Sequence, residues 1–281
     1  MVEETSEEVS QILPERVSLS HSQYNVLKTV SQGYSVFFTG AAGTGKSYIL
    51  RILKEAYERL GRQSNVSFTA PTGVAACNIS GLTIHSWAGI GFGDGDIEKL
   101  IEKVKRNQQA RSRWRETNVL VIDEISMLSG EIFNKLDLIG KHIRNNHSQL
   151  FGGIQVVLCG DFFQLPPIGV GKGGTTFAFA SETWKKMFNM QDGDCNTNIN
   201  TNSSGMKEPT NRMIVLNKIF RQKESIFVNI LNEMRLGDVS QATHAYLRKK
   251  SQEDAHRVLC IDGSITTNSS GGTGTGTGSG D

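Results

Sequence analysis

Gly40-Ala41-Ala42-Gly43-Thr44-Gly45-Lys46-Ser47 stands between the apolar run Val36-Phe37-Phe38-Thr39 and a stretch in which Ile49, Leu50, Leu53, Tyr57 and Leu60 recur at the helical period. A glycine-rich loop with that lysine and serine, placed between a strand and a helix, is a phosphate-binding loop. Its glycines let successive backbone N–H groups face a β-phosphate, Lys46 brings a cation to the β/γ-phosphates, and Ser47 offers a hydroxyl to Mg²⁺. The chain is therefore expected to bind a nucleoside triphosphate through Gly40 to Ser47. A glycine-rich turn ahead of an ordinary helix is the weaker reading, because the flanking pattern is strand, loop and helix in that order.

Outward from the loop, the pattern continues as alternating strands and helices. Val66–Ala70, Asn118–Ile122 and Ile154–Cys159 read as strands, the second of them continuously apolar in the manner of strands buried in parallel sheets. This alternation predicts an α/β fold, a doubly wound parallel sheet of the P-loop (RecA-like) kind. Upstream, Ser20 suits the N-cap of a short helix carrying Tyr24, Val26, Leu27 and Val30, and Gly61 suits the residue just past the helix that follows the loop. Asp96 to Arg115 reads as a charged helical stretch. Its basic residues fit a solvated face better than a nucleic-acid contact.

The 281 residues, 37% hydrophobic and 21% charged, leave room for one or two globular domains, and a formal charge of +2 indicates no particular partner. Cys77, Cys159, Cys195 and Cys260 are scattered without metal-ligand spacing, which suits a reducing compartment. The acidic start (Glu3, Glu4, Glu7, Glu8) fits neither a secretory signal nor a mitochondrial transit peptide, and no run approaches the ~20 apolar residues of a membrane span. An intracellular chain without membrane contact is expected. The nucleus is preferred and the mitochondrion left open.

The chemistry lies at strand ends. Asp123-Glu124 follows an apolar strand, the arrangement a P-loop requires: Asp123 for the Mg²⁺ shell and Glu124 as general base for the attacking water. Gln164, in Gly160-Asp-Phe-Phe-Gln164-Leu-Pro-Pro167, falls at the carboxyl end of the fourth strand, where it could sense a γ-phosphate or simply precede a rigid turn. Arg221, in Phe220-Arg-Gln222, could reach across from a second domain as a charge-stabilising finger or be an ordinary surface residue.

The ordered set Leu19-Ser20-x-x-Gln23, Gly40–Ser47, Ala70–Ala76, Thr83–Trp87, Val121–Leu128, Gly160–Pro167 and Phe220–Gln222 resembles the PIF-type (petite integration frequency) DNA helicases of superfamily one. Leu136-Asp137 through Arg144 to Phe151-Gly-Gly-Ile-Gln155 resembles the segment distinctive of that family. The resemblance covers about residues 19–237. It implies an ATP- and Mg²⁺-dependent motor, moving 5′ to 3′ on single-stranded DNA and opening 5′-tailed duplexes or G-quadruplexes in telomere maintenance, repair and recombination. It further implies that Gln23 reads adenine, Gly43 to Ser47 cradle phosphates, Gln164 senses the γ-phosphate and Arg221 is the arginine finger. Thr72, Gly73, His85 and Trp87 would border the DNA, although packing serves equally well for His85 and Trp87. A monomer is expected.

The expected organisation is a disordered 1–18, a first ATPase domain over 19–190 with a helical insert at about 92–116, and a low-complexity insertion over 191–210. The opening of a second RecA-like domain is expected over 211–250, followed by a disordered tail over 251–281. The family's later motifs are not found after Gly237. The expectation is thus a C-terminally truncated helicase, or a fragment that binds ATP and DNA without unwinding.

Overall fold

The computed structural model describes residues 19–168, 175–189, 212–220 and 224–252. They fall into two compact units divided after Lys223. The expected loose segment 1–18 and insertion 191–210 lie outside the described residues, as do Arg221 and all but residues 251–252 of the expected tail.

The first unit is built on a six-stranded sheet, with strands β1 (Val36–Gly40), β2 (Val66–Ala70), β3 (Leu82–Thr83), β4 (Val119–Ile122), β5 (Gln155–Cys159) and β6 (Met213–Leu216). Their spatial order is β3-β2-β4-β5-β1-β6, and every pairing is parallel. Side chains alternate between the two faces, as the period of a strand requires. Val36, Phe38, Val121, Val157 and Cys159 pack on one side with helices α1 (His21–Ser31) and α2 (Lys46–Arg59). Phe37, Leu120, Ile122, Val156 and Leu158 pack on the other with Trp87, Trp114, Phe133, Phe151 and Trp184. The sheet is therefore covered on both faces, the condition that keeps all-parallel strands dry.

Local chemistry sets the element ends. Ser20 caps α1 through a reciprocal capping box with Gln23. Gly61, φ +65°, follows α2 in the left-handed conformation that a C′ residue favours. Between β2 and β4 lie α3 (Gly73–Asn78), α4 (Ile84–Ala88), α5 (Ile97–Arg106) and α6 (Gln108–Glu116); the last two make up the charged insert. Several of its cations are tied to their neighbours: Lys103 donates to the Ile90 carbonyl, Arg113 to the Trp87 and Ser86 carbonyls, and Lys99 and Lys105 pair with Asp96 and Glu102. The remaining helices of this unit are α7 (Gly130–Ile143) and the short α8 (Glu182–Met187).

One boundary needs correction. Met213–Leu216, expected to open a second domain, pairs with β1 and completes the edge of the first sheet. Its apolar residues read equally well as a first or a last strand, and only the pairing decides. The second unit starts at Glu224. It holds α9 (Ser225–Leu236), ended by Gly237, and a second helical run over 241–252, which extends two residues into the expected tail. The turn between them is fixed by the Glu233 carboxylate, which accepts from the Ser240 amide and hydroxyl. Among the described residues no helix is long and apolar enough to cross a membrane.

The stretch from Asp137 to Gln155 acts as a strut. The buried Asp137 carboxylate accepts from the Phe151 amide at 2.6 Å and pairs with Lys141 at 2.7 Å. Arg144 donates to the carbonyls of Gly152, Trp114, Arg115 and Thr117 at 2.8–3.0 Å, joining the end of α7 to the end of α6 and the entry to β4. A Cβ on Gly140 would stand 2.7 Å from the Phe151 carbonyl oxygen, so only glycine fits that crossing. Arg144→Ala leaves four carbonyls without this donor, and we expect a loss of about 2–3 kcal/mol in urea denaturation. An unchanged midpoint would show the strut to be dispensable.

Candidate nucleotide-binding site

β1 ends at Gly40, and the loop that follows returns the chain into α2. Gly43 (φ +83°) and Gly45 (φ +88°) take the left-handed conformation that turns the loop. Gly45 is also under steric demand, because a Cβ there would lie 2.5 Å from the Gln23 side-chain nitrogen. Gln23 is buried and works twice. Its Oε1 accepts from the Ser20 amide (2.9 Å) and its Nε2 donates to the Thr44 carbonyl (3.1 Å), fastening α1 to the loop. Lys46 folds back over the loop with its ammonium 2.7 Å from the Gly40 carbonyl oxygen. Behind it, the Phe220 amide donates to the Gly43 carbonyl at 2.8 Å.

Register brings the acids to this loop. β4 pairs with β5 through Ile122 and Leu158, and β5 pairs with β1 through Cys159 and Phe38. Asp123 and Gly160, just past β4 and β5, therefore emerge at the same edge as Gly40, where β1 ends and the phosphate loop begins. Asp123 is 7% exposed; its Oδ1 accepts from the Glu124 amide at 3.0 Å, and the buried Cys159 thiol hydrogen-bonds the same carboxyl. Burial pushes the Asp123 carboxyl above the ordinary carboxylate range, against the pull of the Cys159 thiol, the Glu124 amide and the Lys46 cation. Glu124 is also raised, by burial first and then by the Asp123 charge, with Lys46 opposing and Asp161 adding. The mutual influence of Lys46, Asp123 and Glu124 places the lysine of the loop and both acids in one electrostatic neighbourhood.

Glu124 sits at φ +51°, ψ +43°. An L-residue there carries about 1–2 kcal/mol of strain, and such strain concentrates at functional sites. Gln164 donates to Asp161 at 3.1 Å, and Asp161, fully buried, also accepts from the Phe163 amide. Asp161 carries no motif of its own in the sequence, standing two residues past an apolar strand where Asp123 stands directly after one. Cys159 was missed as well: a lone cysteine inside a strand carries no signal until the register places it beside Asp123.

Not every expected residue faces a ligand. Trp87 is 1% exposed and packs at a tilt on Trp114, ring centroids 4.6 Å apart, so its ring is core and cannot stack on a base; of the two readings, packing holds and DNA contact is withdrawn. Thr72 caps α3 with its side chain, Gly73 is exposed, and both lie at the carboxyl end of β2. His85 is half-buried, and burial lowers its pKa against the pull of Asp94, so it is neutral at pH 7. Arg221 lies outside the described residues.

A doubly wound parallel sheet, with a glycine-rich phosphate loop after β1 and a carboxylate pair after β4, defines a RecA-like P-loop domain. The profile of the family described as "PIF1-like helicase" matches residues 18–245, and the chain belongs to that family. It is 43% identical over 238 residues to the ATP-dependent DNA helicase PIF1 of Saccharomyces cerevisiae (strain YJM789), covering 84% of this chain and 25% of that protein. With the human ATP-dependent DNA helicase PIF1 it shares 35% identity over 249 residues, covering 89% of this chain and 34% of the relative. The crystal structure of the Candida albicans Pif1 helicase superposes with a TM-score of 0.68 at 46% identity, covering 81% of this chain and 46% of that one. The chain thus spans about a quarter to a third of the length of these curated relatives.

The raised Asp123 carboxyl has a consequence for stability. An acid whose folded pKa is raised binds its proton more tightly when folded. Stability of the nucleotide-free, Mg²⁺-free protein is then full below the ordinary carboxylate pKa of about 4 and falls as pH rises through the raised value. Asp123→Asn, neutral throughout, is expected to be more stable than the parent at pH 7 in thermal denaturation, with the difference shrinking toward pH 4. Parallel pH profiles for the two proteins would contradict the assignment.

Proposed function

We propose that this chain is the nucleotide-binding motor domain of a 5′–3′ DNA helicase, which hydrolyses ATP to move along single-stranded DNA. The observation that carries this reading is the meeting of Lys46, Asp123 and Glu124 at the mouth of a P-loop. The relatives' printed names, ATP-dependent DNA helicase PIF1, support it. So do the titles of solved structures that are 28–29% identical, which record Bacteroides Pif1 bound to single-stranded DNA and in complex with ADP-AlF4, and two Pif1 helicases at forked duplex DNA.

The chemistry follows from the side chains. Backbone amides of Gly43 to Ser47, at the start of α2, hold the phosphates, and Lys46 leaves the Gly40 carbonyl to meet them. The Ser47 hydroxyl and the Asp123 carboxylate are oxygen donors of the kind Mg²⁺ takes, so these two residues would hold the ion, which would supply positive charge against the developing negative charge of the transferring group. Glu124, on its left-handed backbone, takes the proton of the attacking water. Its raised pKa brings it nearer the working pH, as suits a general base. Gln164, anchored by Asp161, reports the γ-phosphate, while Gln23 couples adenine recognition to the loop and Arg221 stabilises the transferring phosphoryl group.

Thr72, Gly73 and His85, at the carboxyl ends of β2 and β3, border the DNA track through amides and neutral groups, which hold phosphates without reading bases. Action at G-quadruplexes and 5′-tailed duplexes, roles in telomere maintenance, repair and recombination, a nuclear site and a monomeric state belong to the same proposal. The second reading, an ATP- and DNA-binding fragment without unwinding, draws on the quarter to third of the relatives' length that the chain spans.

Two measurements separate these readings. ATPase activity should rise severalfold or more with oligo-dT, and a fluorescence assay on a 5′-tailed duplex reports whether the chain alone unwinds. An ATPase indifferent to DNA would overturn the motor reading. Glu124→Gln should preserve fluorescent-nucleotide affinity while slowing turnover about 10²–10⁴-fold, and near-normal turnover would remove Glu124 from its role. Lys46→Ala should abolish tight nucleotide binding.

A further inference from the structure

The loop after β5 sends three successive residues to three anchors. Gly160 closes on the turn at Glu124, where a Cβ would stand 2.9 Å from the Ile125 amide nitrogen. Asp161 is fully buried. Phe162 enters an aromatic cluster, its ring centroid 4.8 Å from that of Phe179, 5.6 Å from Phe37 and 5.8 Å from Trp184. The Gln164 backbone amide then donates to the Asp161 carbonyl at 2.9 Å, and Gln164 itself is exposed on this fastened loop.

The Asp161 carboxylate sets the direction of the side chain it holds. Its Oδ1 accepts from the Phe163 backbone amide at 3.2 Å and its Oδ2 from Gln164 Nε2 at 3.1 Å. A carboxylate only accepts, whereas a glutamine amide has one donating and one accepting end. The Gln164 amide therefore stands with its NH2 group toward Asp161, because the reverse would bring Oε1 against a carboxylate oxygen. One N–H and Oε1 remain for a ligand.

We propose that Asp161 is a positioning residue of ATP hydrolysis, whose buried carboxylate decides which end of the Gln164 amide meets the γ-phosphate. Asp161 acts only through Gln164, so this role rests on the reading of Gln164 as the γ-phosphate sensor. The remaining N–H suits an anionic phosphate oxygen, and Oε1 suits a hydrogen of the attacking water. Because the amide is oriented before the nucleotide arrives, that contact costs little further ordering. The same carboxylate is felt at the base: burial and then Asp123 raise the Glu124 carboxyl, Lys46 opposes, and the Asp161 charge adds. Sensor, anchor and base are thus neighbours at one strand edge.

The test uses the full 281-residue chain and competes a fluorescent nucleotide with ADP and with AMP-PNP, whose affinity ratio reads the γ-phosphate contact. In Asp161→Asn the side-chain oxygen stays on the Phe163 amide while the NH2 group turns to Gln164, which reverses the amide and sets its oxygen against the phosphate. Expected are an unchanged ADP affinity, which also shows the variant to be folded, and a preference for AMP-PNP reduced about tenfold, as for one hydrogen bond to a charged group. Gln164→Ala should lower the preference to a similar extent, and the double variant no further, since the two residues act as a unit. Three results would overturn the role of Asp161 alone: an unchanged preference in Asp161→Asn when Gln164→Ala lowers it, additive losses in the double variant, or ADP and AMP-PNP affinities that fall together, as a merely structural residue gives. A parent chain without preference for AMP-PNP, or a Gln164→Ala variant that keeps it, would remove the sensor role from Gln164 and the role of Asp161 with it.

Discussion

Parallel pairing of β4, β5 and β1 at one fixed register is the constraint on which the rest of this domain depends. Three strands that run the same way and end at the same level deliver the residues after them to a common edge, so the phosphate loop, Asp123-Glu124 and Gly160-Asp161 meet without any long-range coincidence of loops. A slip of one residue would exchange the two faces of a strand and send Asp123 toward the wrong layer. The register is held by what it buries: Val121, Val157 and Cys159 on one side, Leu120, Ile122 and Leu158 on the other. All are apolar except the cysteine, whose thiol lies beside the carboxylate that the site uses.

This firm scaffold supports a site that is locally unfavourable. Asp123 and Glu124 are both pushed above the ordinary carboxylate range, and Glu124 holds a backbone conformation that β-carbon sterics disfavour. The left-handed backbone costs on the order of 1 kcal/mol or more, and it would not persist on a flexible loop. Gly160 explains part of the tolerance, since a Cβ there would come within 2.9 Å of the Ile125 amide nitrogen, and its absence leaves room for the turn at Glu124. A cation in this pocket would favour the charged form of both carboxylates, opposing the effect of burial.

Much of the fold was legible because its signals are local. The capping pair Ser20 and Gln23, the glycine after α2 and the apolar strands announce themselves within a few residues, and the observed strands 66–70, 119–122 and 155–159 fall where the sequence puts them to within one residue. The misses share a cause. Leu82–Thr83 is too short for a period to show, and Met213–Leu216 reads as a strand without saying which sheet it joins. Trp87 reads equally as packing or as a DNA border, and only its tilted contact with Trp114 decides for the core. Asp161 and Cys159 need register, which is a property of two segments and cannot be read from either alone.

The stretch from Asp137 to Gln155 is bonded chiefly within the fold. Asp137, Arg144, Gly140 and Phe151 bond to backbone or exclude a Cβ, and Gln155 ties β5 to the end of α1 through the Val30 and Tyr34 carbonyls. Their combined effect is to set α7 and the charged insert against the sheet and to hold α1 against the β1–β5 pair. Because α1 also carries Gln23, which grips the Thr44 carbonyl, a residue at the start of β5 is mechanically linked to the phosphate loop through one helix. The stretch thus fixes how the layers sit around the loop, while the loop and the acids beside it stand at strand ends.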